Sequence, residues 1–263
     1  MNATCYAGVI RISGSHTKTF EDKLIVESRV DIWLNGEKLI GLIATPLELE
    51  ALVVGYLISE QIISSYREII TIAYEGDGII RMDITAKKVN HSSIARLNTE
   101  AVMISGCGKG HTANIDPEKM ATVVNQSNYR ISAMQISKAM EGFMEHCKLY
   151  VQTGAVHTAL LIFEDSSYLV AEDLAQHNTI DKVMGKACIE GKDVNHAILL
   201  LSGRLSSEMV AKAVMHGVPI VASRTSATCL GVKIAEKFGI TLVGFVRGER
   251  MNLYTMPERI LVS

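Results

Sequence analysis

AILLLSGRLSSEMVAKAVMHGVPIVASRTSATCLGVKIAEKFGITLVGFV, residues 197–246, is the stretch whose reading decides the fold. AILLLS, PIVAS and ITLVGFV are apolar runs of strand length, and the segments near 206–216 and 227–238 between them have helical character. Gly217 and Gly239 stand where helix C-caps are expected, as Gly191 does after another helical segment near 178–190. Working back along the chain, VHTALLIF (156–163) and YLVAE (168–172) add two more strands. Strands alternating with helices predict a three-layer α/β/α domain over residues 131–263.

Residues 1–130 read differently, as a smaller α+β domain. VDIWL and EKLIGLIA flank Asn35-Gly36, a strong hairpin signal. Thr45-Pro46-Leu47-Glu48 reads as an N-cap, a proline at N1 and a capping-box glutamate, opening a helix that runs to about Ser59. IITIAY (69–74) and GIIRMDIT (78–85) form a second expected hairpin, and AVMIS (101–105) a strand leading into a glycine loop. Asp116-Pro117 is a possible cap for a short helix, and Ser132-Ala-Met-Gln135 a capping box for a longer one.

The chain has 263 residues, 48% hydrophobic and 21% charged, with a net charge of −2. That composition fits an ordinary globular protein and argues against a general basic surface for nucleic acid or anionic membrane. No signal peptide is read at the start, and runs such as LVVGYLI (52–58) are too short to span a bilayer. Five cysteines without paired spacing fit a reduced, cytoplasmic protein better than a disulfide scaffold.

Four of those cysteines have plain explanations. Cys147 falls in phase with Ile136, Met140 and Phe143, and Cys188 shares a face with Val183, Met184 and Ala187. Cys229 begins a helical stretch, and Cys5 is expected in a frayed terminus. Cys107, in SGCGKGHT (105–112), is different: flanking glycines remove side-chain cover, and Lys109 and His111 favour the nucleophilic thiolate. The plainer alternative is a glycine-rich turn that contains a small residue.

EDLAQHNTIDK (172–182) follows a strand and opens a helix, with His177 and Asp181 at i,i+4 on one face. A capped, solvated helix start is the simpler reading. The H-x-E and P-C-x-x-C pattern of zinc deaminases is absent, and His157 has no matching cysteine pair. SGRLSSEMV, TSATCLG and GFVRGER each leave a core strand with features that suit an anionic group, and such loops converge at the carboxyl ends of neighbouring strands. The residues therefore point to a phosphate-rich ligand on an α/β domain and an exposed thiol on a separate loop.

SGRLSSEMVAKAVMHGVPIVASRTSATCLGVKIAEKFGITLVGFVRGERMNLYT, with TGAVHTA, EDLAQHNTIDKVMG and TPLELEALVVGYLISEQII in order before it, resembles the formate dehydrogenase accessory sulfurtransferases, the FdhD/NarQ family, over about positions 20 to 260. The resemblance implies a cytoplasmic, dimeric sulfurtransferase with a cytidine-deaminase-like α/β/α domain that binds no metal directly. It implies that sulfur moves as a persulfide from a cysteine desulfurase to a molybdenum or tungsten bis-molybdopterin guanine dinucleotide, for use by the catalytic subunit of formate dehydrogenase. Cys107 occupies the place of the family's persulfide cysteine, and the guanine-dinucleotide contact carries over onto Phe245, Val246, Arg247, Gly248, Glu249 and Arg250.

Two departures stand out. Where the family usually carries C-x-x-C, this chain has Cys107-Gly108-Lys109-Gly110, and where it carries E-D-x-G-R-H-N, Ala175 and Gln176 replace glycine and arginine. Three functions are thus in play: sulfur transfer through Cys107, binding of the cofactor without transfer, and a Cys–His hydrolase using His111 or His157. The last lacks an orienting third group.

Overall fold

The computed structural model describes residues 2–76, 78–100, 102–103, 111–112, 117–118, 120 and 124–262. Cys107, its glycine neighbours and Asp116 of the expected helix cap lie outside the described residues. The elements run β1 Thr4–Ser13, β2 His16–Ile25, β3 Ser28–Leu34, β4 Glu37–Ala44, α1 Leu49–Ser59, β5 Ile69–Glu75, β6 Ile79–Ala86 and α2 His91–Glu100. Next come the paired β7 Val102–Met103 and β8 His111–Thr112, then β9 Ile131–Ser132, α3 Ala133–Glu141, α4 Phe143–His146 and α5 Lys148–Thr153. The remainder is β10 His157–Phe163, β11 Tyr168–Asp173, α6 Gln176–Ile189, β12 Ala197–Leu201, α7 Ser207–His216, β13 Ile220–Ser223, α8 Cys229–Lys237, β14 Thr241–Arg247, β15 Arg250–Thr255 and β16 Ile260–Leu261.

The apolar runs of the C-terminal half form one six-stranded sheet, ordered β11-β10-β12-β13-β14-β15. β12, β13 and β14 are mutually parallel, and the outer strands pair antiparallel. Continuous burial of Ala197–Leu201 is what a strand covered on both faces requires. One face carries Leu199, Leu201, Val221 and Leu242 against Val183, Met209, Val210 and Ile234 of α6, α7 and α8. The other carries Leu160, Ile198, Leu200, Ile220 and Val243 against Ile136, Met140, Phe143 and Cys147. Gly191, Gly217 and Gly239 all have positive φ, and Gly217 ends α7 at φ 79 as a left-handed C-cap. The capping box at Ser132 and Gln135 forms as expected.

Asn35 and Gly36 join β3 to β4 with φ of 51 and 87, the paired positive values of a type I′ hairpin. A second sheet, β4-β3-β6-β5, lays Val30, Ile32, Leu42, Ile80, Met82 and Ile84 on α1. Cys5 is not in a frayed end. It sits in the ten-residue antiparallel ribbon of β1 and β2, which turns at Gly14.

α1 is apolar all round because it is covered all round: one side meets its own sheet and the other meets α6. The two helices touch backbone to backbone. A Cβ on Gly55 would lie 1.9 Å from the Asp181 carbonyl oxygen, and one on Gly185 would lie 1.9 Å from that of Ala51. Around this contact runs a seam of buried polar groups. Lys182 and Asp173 pair at 2.6 Å with neither side chain exposed, and Lys212 donates to both Asp181 oxygens at 2.8 Å. Ser59 donates to Asp181 at 2.7 Å and lies 3.1 Å from Nε2 of His216. Burial pushes the Asp181 pKa up more strongly than Lys212 and Ser59 pull it down.

This seam corrects the expected start of α1. The helix begins at Leu49, after Glu48 in the left-handed region, and Thr45 caps nothing. Its N–H donates to Asp173 at 3.0 Å, its hydroxyl accepts from the Leu174 N–H at 3.2 Å, and its carbonyl accepts from Lys182 at 3.0 Å. A long-range anchor has outcompeted the local cap. The solvated helix start read at EDLAQHNTIDK is also corrected: His177 through Gly185 are all buried.

Gly185→Ala is expected to lose about 3 kcal/mol or more of unfolding free energy in urea titrations, because the methyl group meets backbone that cannot yield. Gly8→Ala, with nothing within 4 Å, should lose far less. Stability should also fall with acid. Burial, with Lys212 adding to it, lowers the pKa of His177 and of His216 from 6.5 to about 3. The unfolded chain therefore binds more protons across that window, so each histidine's contribution is complete above pH 6.5 and is lost as pH falls towards 3. The loss per histidine by pH 5 is about 2 kcal/mol, partly offset as the raised Asp181 takes up its proton. Denaturant midpoints measured across this range check the slope, and His216→Gln should flatten it.

Candidate functional site

The carboxyl ends of β12, β13 and β14 are stitched together by their own loops. The Ser223 hydroxyl donates to the Gly203 carbonyl at 2.7 Å, and Thr225 N–H donates back to Ser223 Oγ at 3.1 Å. Leu205 N–H donates to Ser226 O at 3.0 Å, Thr228 N–H to Leu205 O at 3.1 Å, and Phe245 N–H to Thr225 O at 2.9 Å. Gly244 permits that last approach, since a Cβ there would lie 2.9 Å from the Thr225 oxygen and 2.8 Å from the Tyr254 ring. The chain then turns through Phe245 at φ 52, where the β14–β15 register shifts.

These loops wall a cleft of about 810 Å³, lined on one side by Phe143, Met144, Cys147 and Tyr150 and on the other by His157, Ser202, Arg224, Thr225 and Arg247. A smaller hollow of about 310 Å³ shares His157, Leu174 and Thr225 with it and adds Gln176, His177, Arg204, Ser206, Glu208 and Thr228. Three arginines, one from each strand-end loop, thus meet two connected hollows beside the starts of α7 and α8. Thr228 caps α8 by accepting from Gly231 N–H at 3.2 Å, whereas Ser206 makes no side-chain cap for α7.

The charges are arranged for an anion. Arg204, Arg224 and Arg247 are exposed, and Arg247 Nε donates to the Arg224 carbonyl at 3.4 Å with its guanidinium 5.7 Å from the Phe245 ring centre. His157 Nδ1 lies 3.2 Å from Ser202 Oγ, and burial followed by the nearby Arg204 lowers its pKa, so the ring is neutral at pH 7. Glu172 fixes the start of α5, accepting from Leu149 and Tyr150 N–H at 2.8 and 2.9 Å. Cys147 is buried, its thiol donates to Phe143 O at 3.3 Å, and burial raises its pKa, so it is a poor nucleophile. Among the described residues no group of three His, Cys, Asp or Glu side chains is placed to hold a metal ion, and no helix is long and apolar enough to cross a membrane.

The expected site residues separate on inspection. Of Phe245 to Arg250, Arg247 lines the cleft; Val246 turns into the core beneath it, Gly248 and Glu249 form the exposed β14–β15 turn, and Arg250 opens β15, also exposed. The three anion loops do meet. His177 and Asp181 share α6 but take different partners, Asp181 in the seam and His177 in the smaller hollow. Arg224 escaped sequence reading, although its place directly after PIVAS, at a strand's carboxyl end, was a usable signal. Cys147 was read as core and is core, yet it also lines the cleft.

Comparison with known proteins bears on this arrangement. A Wolinella succinogenes protein named as the sulfur carrier protein FdhD is 41% identical over 91% of this chain and 83% of its own. A Bacillus subtilis protein of the same name is 32% identical over 98% and 97% of the two chains. A crystal structure described as a formate dehydrogenase accessory protein of Desulfotalea psychrophila superposes with a TM-score of 0.78 at 25% identity, covering 99% of this chain and all of the other. The FdhD/NarQ family model matches residues 25–261, and with such relatives across nearly its whole length the chain belongs to the FdhD/NarQ family.

Proposed function

We propose that this chain is a sulfur carrier in formate dehydrogenase maturation. It takes persulfide sulfur on Cys107 from a cysteine desulfurase. It delivers that sulfur to a molybdenum or tungsten bis-molybdopterin guanine dinucleotide, its substrate, seated in the arginine-lined cleft. The observation that carries this reading is the convergence of Arg204, Arg224 and Arg247, from three separate strand ends, on two connected hollows. Family membership and the sulfur-carrier names of its relatives support it. The same reading takes the two-sided sheet as a cytidine-deaminase-like layer without bound zinc. It also takes the protein as a cytoplasmic homodimer that meets the catalytic subunit of formate dehydrogenase.

The steps balance as follows. The Cys107 thiolate attacks the outer sulfur of the donor's persulfide, a new S–S bond forms at Cys107, and the donor's inner sulfur leaves as a thiolate. Delivery as a sulfide ligand breaks that S–S bond, frees the Cys107 thiolate and requires two electrons. Gly110 stands where the family's second cysteine would be, so two external thiols supply them, the first displacing the sulfide and the second freeing Cys107 as the pair leaves as a disulfide. Arg224 and Arg247 grip phosphate oxygens with their guanidinium forks. Phe143 and Tyr150 cover the apolar side of the ligand. The loop-to-loop hydrogen bonds hold the arginines in register before the ligand arrives.

The absent second cysteine also favours a second reading, a protein that holds the cofactor without moving sulfur. Incubation with a cysteine desulfurase and cysteine separates the two: one added sulfur on Cys107 by mass spectrometry is expected. A chain left unmodified where a two-cysteine relative is labelled would contradict transfer. Formate dehydrogenase matured normally by Cys107→Ala would favour the holder. Arg247→Ala should weaken binding of GDP by roughly ten- to a hundredfold in calorimetric titration, the cost of one charge-assisted phosphate contact.

A further inference from the structure

The ribbon of β1 and β2 belongs to neither large sheet and lines no part of the cleft. Apart from Ile25 it lies ahead of residues 25–261, the part that matches the family model. Two strands alone make a marginal sheet in water, yet this one runs from Thr4 opposite Ile25 out to Ser13 opposite His16. Its root is held: Val26 N–H donates to the Ala3 carbonyl at 2.8 Å, and Lys23 Nζ donates to Gln152 of α5. On β1, Tyr6, Ile10 and Ile12 are 65%, 67% and 73% exposed, and their even spacing puts all three on one face. The opposite face partly covers itself, with Val9 across from Phe20 and Arg11 stacked 4.4 Å over that ring.

The two edges of the ribbon differ. β2 carries Lys18, Glu21, Asp22 and Lys23, charges of the kind that keep a sheet edge from pairing. β1, TCYAGVIRIS, carries only Arg11 and no proline. Gly14, at φ 60, and Ser15 form a two-residue hairpin loop, so Ser13 and His16 are a hydrogen-bonded pair. Counting back from that pair, Tyr6, Gly8, Ile10 and Ile12 turn their N–H and C=O groups away from β2. Among the described residues no strand pairs with that edge.

The open edge is self-complementary about Gly8. A second β1 laid antiparallel, with the two-fold axis at Gly8, sets Tyr6 opposite the partner's Ile10 and Ile10 opposite the partner's Tyr6. That makes the same aromatic–β-branched pair twice, on one face. Arg11 then faces the partner's Cys5 rather than its own twin, so no like charges meet.

We propose that the outer edge of β1 pairs antiparallel with β1 of a second copy, two-fold about Gly8, joining the two ribbons into one four-stranded sheet. This rests on the homodimer of the proposed function and gives it an interface. It is independent of the chemistry at Cys107. Because the ribbon is rooted on α5, whose Tyr150 lines the cleft, the joined sheet holds two clefts in one particle.

Sedimentation velocity of the full chain over a concentration series tests it. Wild type should run at twice the chain mass. Tyr6→Lys/Ile10→Lys sets like charges against each other across the axis and should weaken self-association roughly a hundredfold, as should Tyr6→Glu/Ile10→Glu. An equimolar mixture of those two variants should recover the dimer. Both side chains are exposed in the single chain, so the far-ultraviolet circular dichroism of each variant should match wild type. Thr19→Lys, on the face of Ile10 but on β2, should leave the dimer intact. Unchanged association in both charged variants would overturn the β1 edge and leave a homodimer built on another surface. Two monomeric variants that stay apart when mixed would overturn the pairing of Tyr6 with Ile10. Thr19→Lys as damaging as the β1 changes would overturn edge pairing in favour of ribbons stacked face to face. A wild-type chain that is monomeric throughout would overturn the edge and the homodimer together.

Discussion

The contact between α1 and α6 is the constraint on which the rest of the structure depends. Gly55 and Gly185 bring two backbones within van der Waals distance, and the side chains of Asp173, Asp181, Lys182 and Lys212 beside the crossing are buried. Asp173, Asp181, Lys182 and Lys212 must then find one another, and they do so in two ion pairs completed by Thr45 and Ser59. Buried ion pairs contribute little net stability against apolar packing, but breaking one is severe. Their effect here is to admit a single mutual orientation of the helices. Since Thr45 follows β4 and Asp173 ends β11, that orientation ties the four-stranded sheet to the edge of the six-stranded one.

The same tie shapes the cleft. Asp173 and the start of α6 lie next to Leu174, Ala175 and Gln176, which wall the smaller hollow, and Gln176 reaches across to donate to the Arg204 carbonyl at 3.0 Å. From there hydrogen bonds link Gly203, Ser223, Thr225 and Phe245, and Arg247 donates to the Arg224 carbonyl. A ligand that bridges the arginines therefore meets loops already set against one another, so little ordering cost accompanies binding. Among the described residues, Arg204 is the one arginine that lines the smaller hollow.

Much of this was legible in the sequence. The strand-helix alternation of residues 197–246, the Asn35-Gly36 turn and the Ser132–Gln135 capping box are local signals, and each formed where it was expected. Thr45 was misread because its partner, Asp173, is 128 residues away, and no local pattern distinguishes a cap from such an anchor. EDLAQHNTIDK reads as solvated because it is rich in polar residues. Only the seam's partners, drawn from α1, α7 and the end of β4, make it interior. The ribbon of β1 and β2 escaped notice although Gly14 marks its turn. The meeting of the three anion loops follows from strand order. Arg224 and the His177 hollow depended on loop heights and helix packing that periodicity does not encode.

The proposed transfer moves sulfur held on Cys107 to a cofactor gripped by the cleft arginines. Its most direct measurement is single-turnover transfer of radiolabelled sulfur from charged protein to the bis-molybdopterin guanine dinucleotide cofactor, for wild type and for Arg224→Ala/Arg247→Ala. The expected result is a double variant that accepts label on Cys107 as wild type does but passes almost none to the cofactor. Transfer at the wild-type rate without those two arginines would contradict the claim.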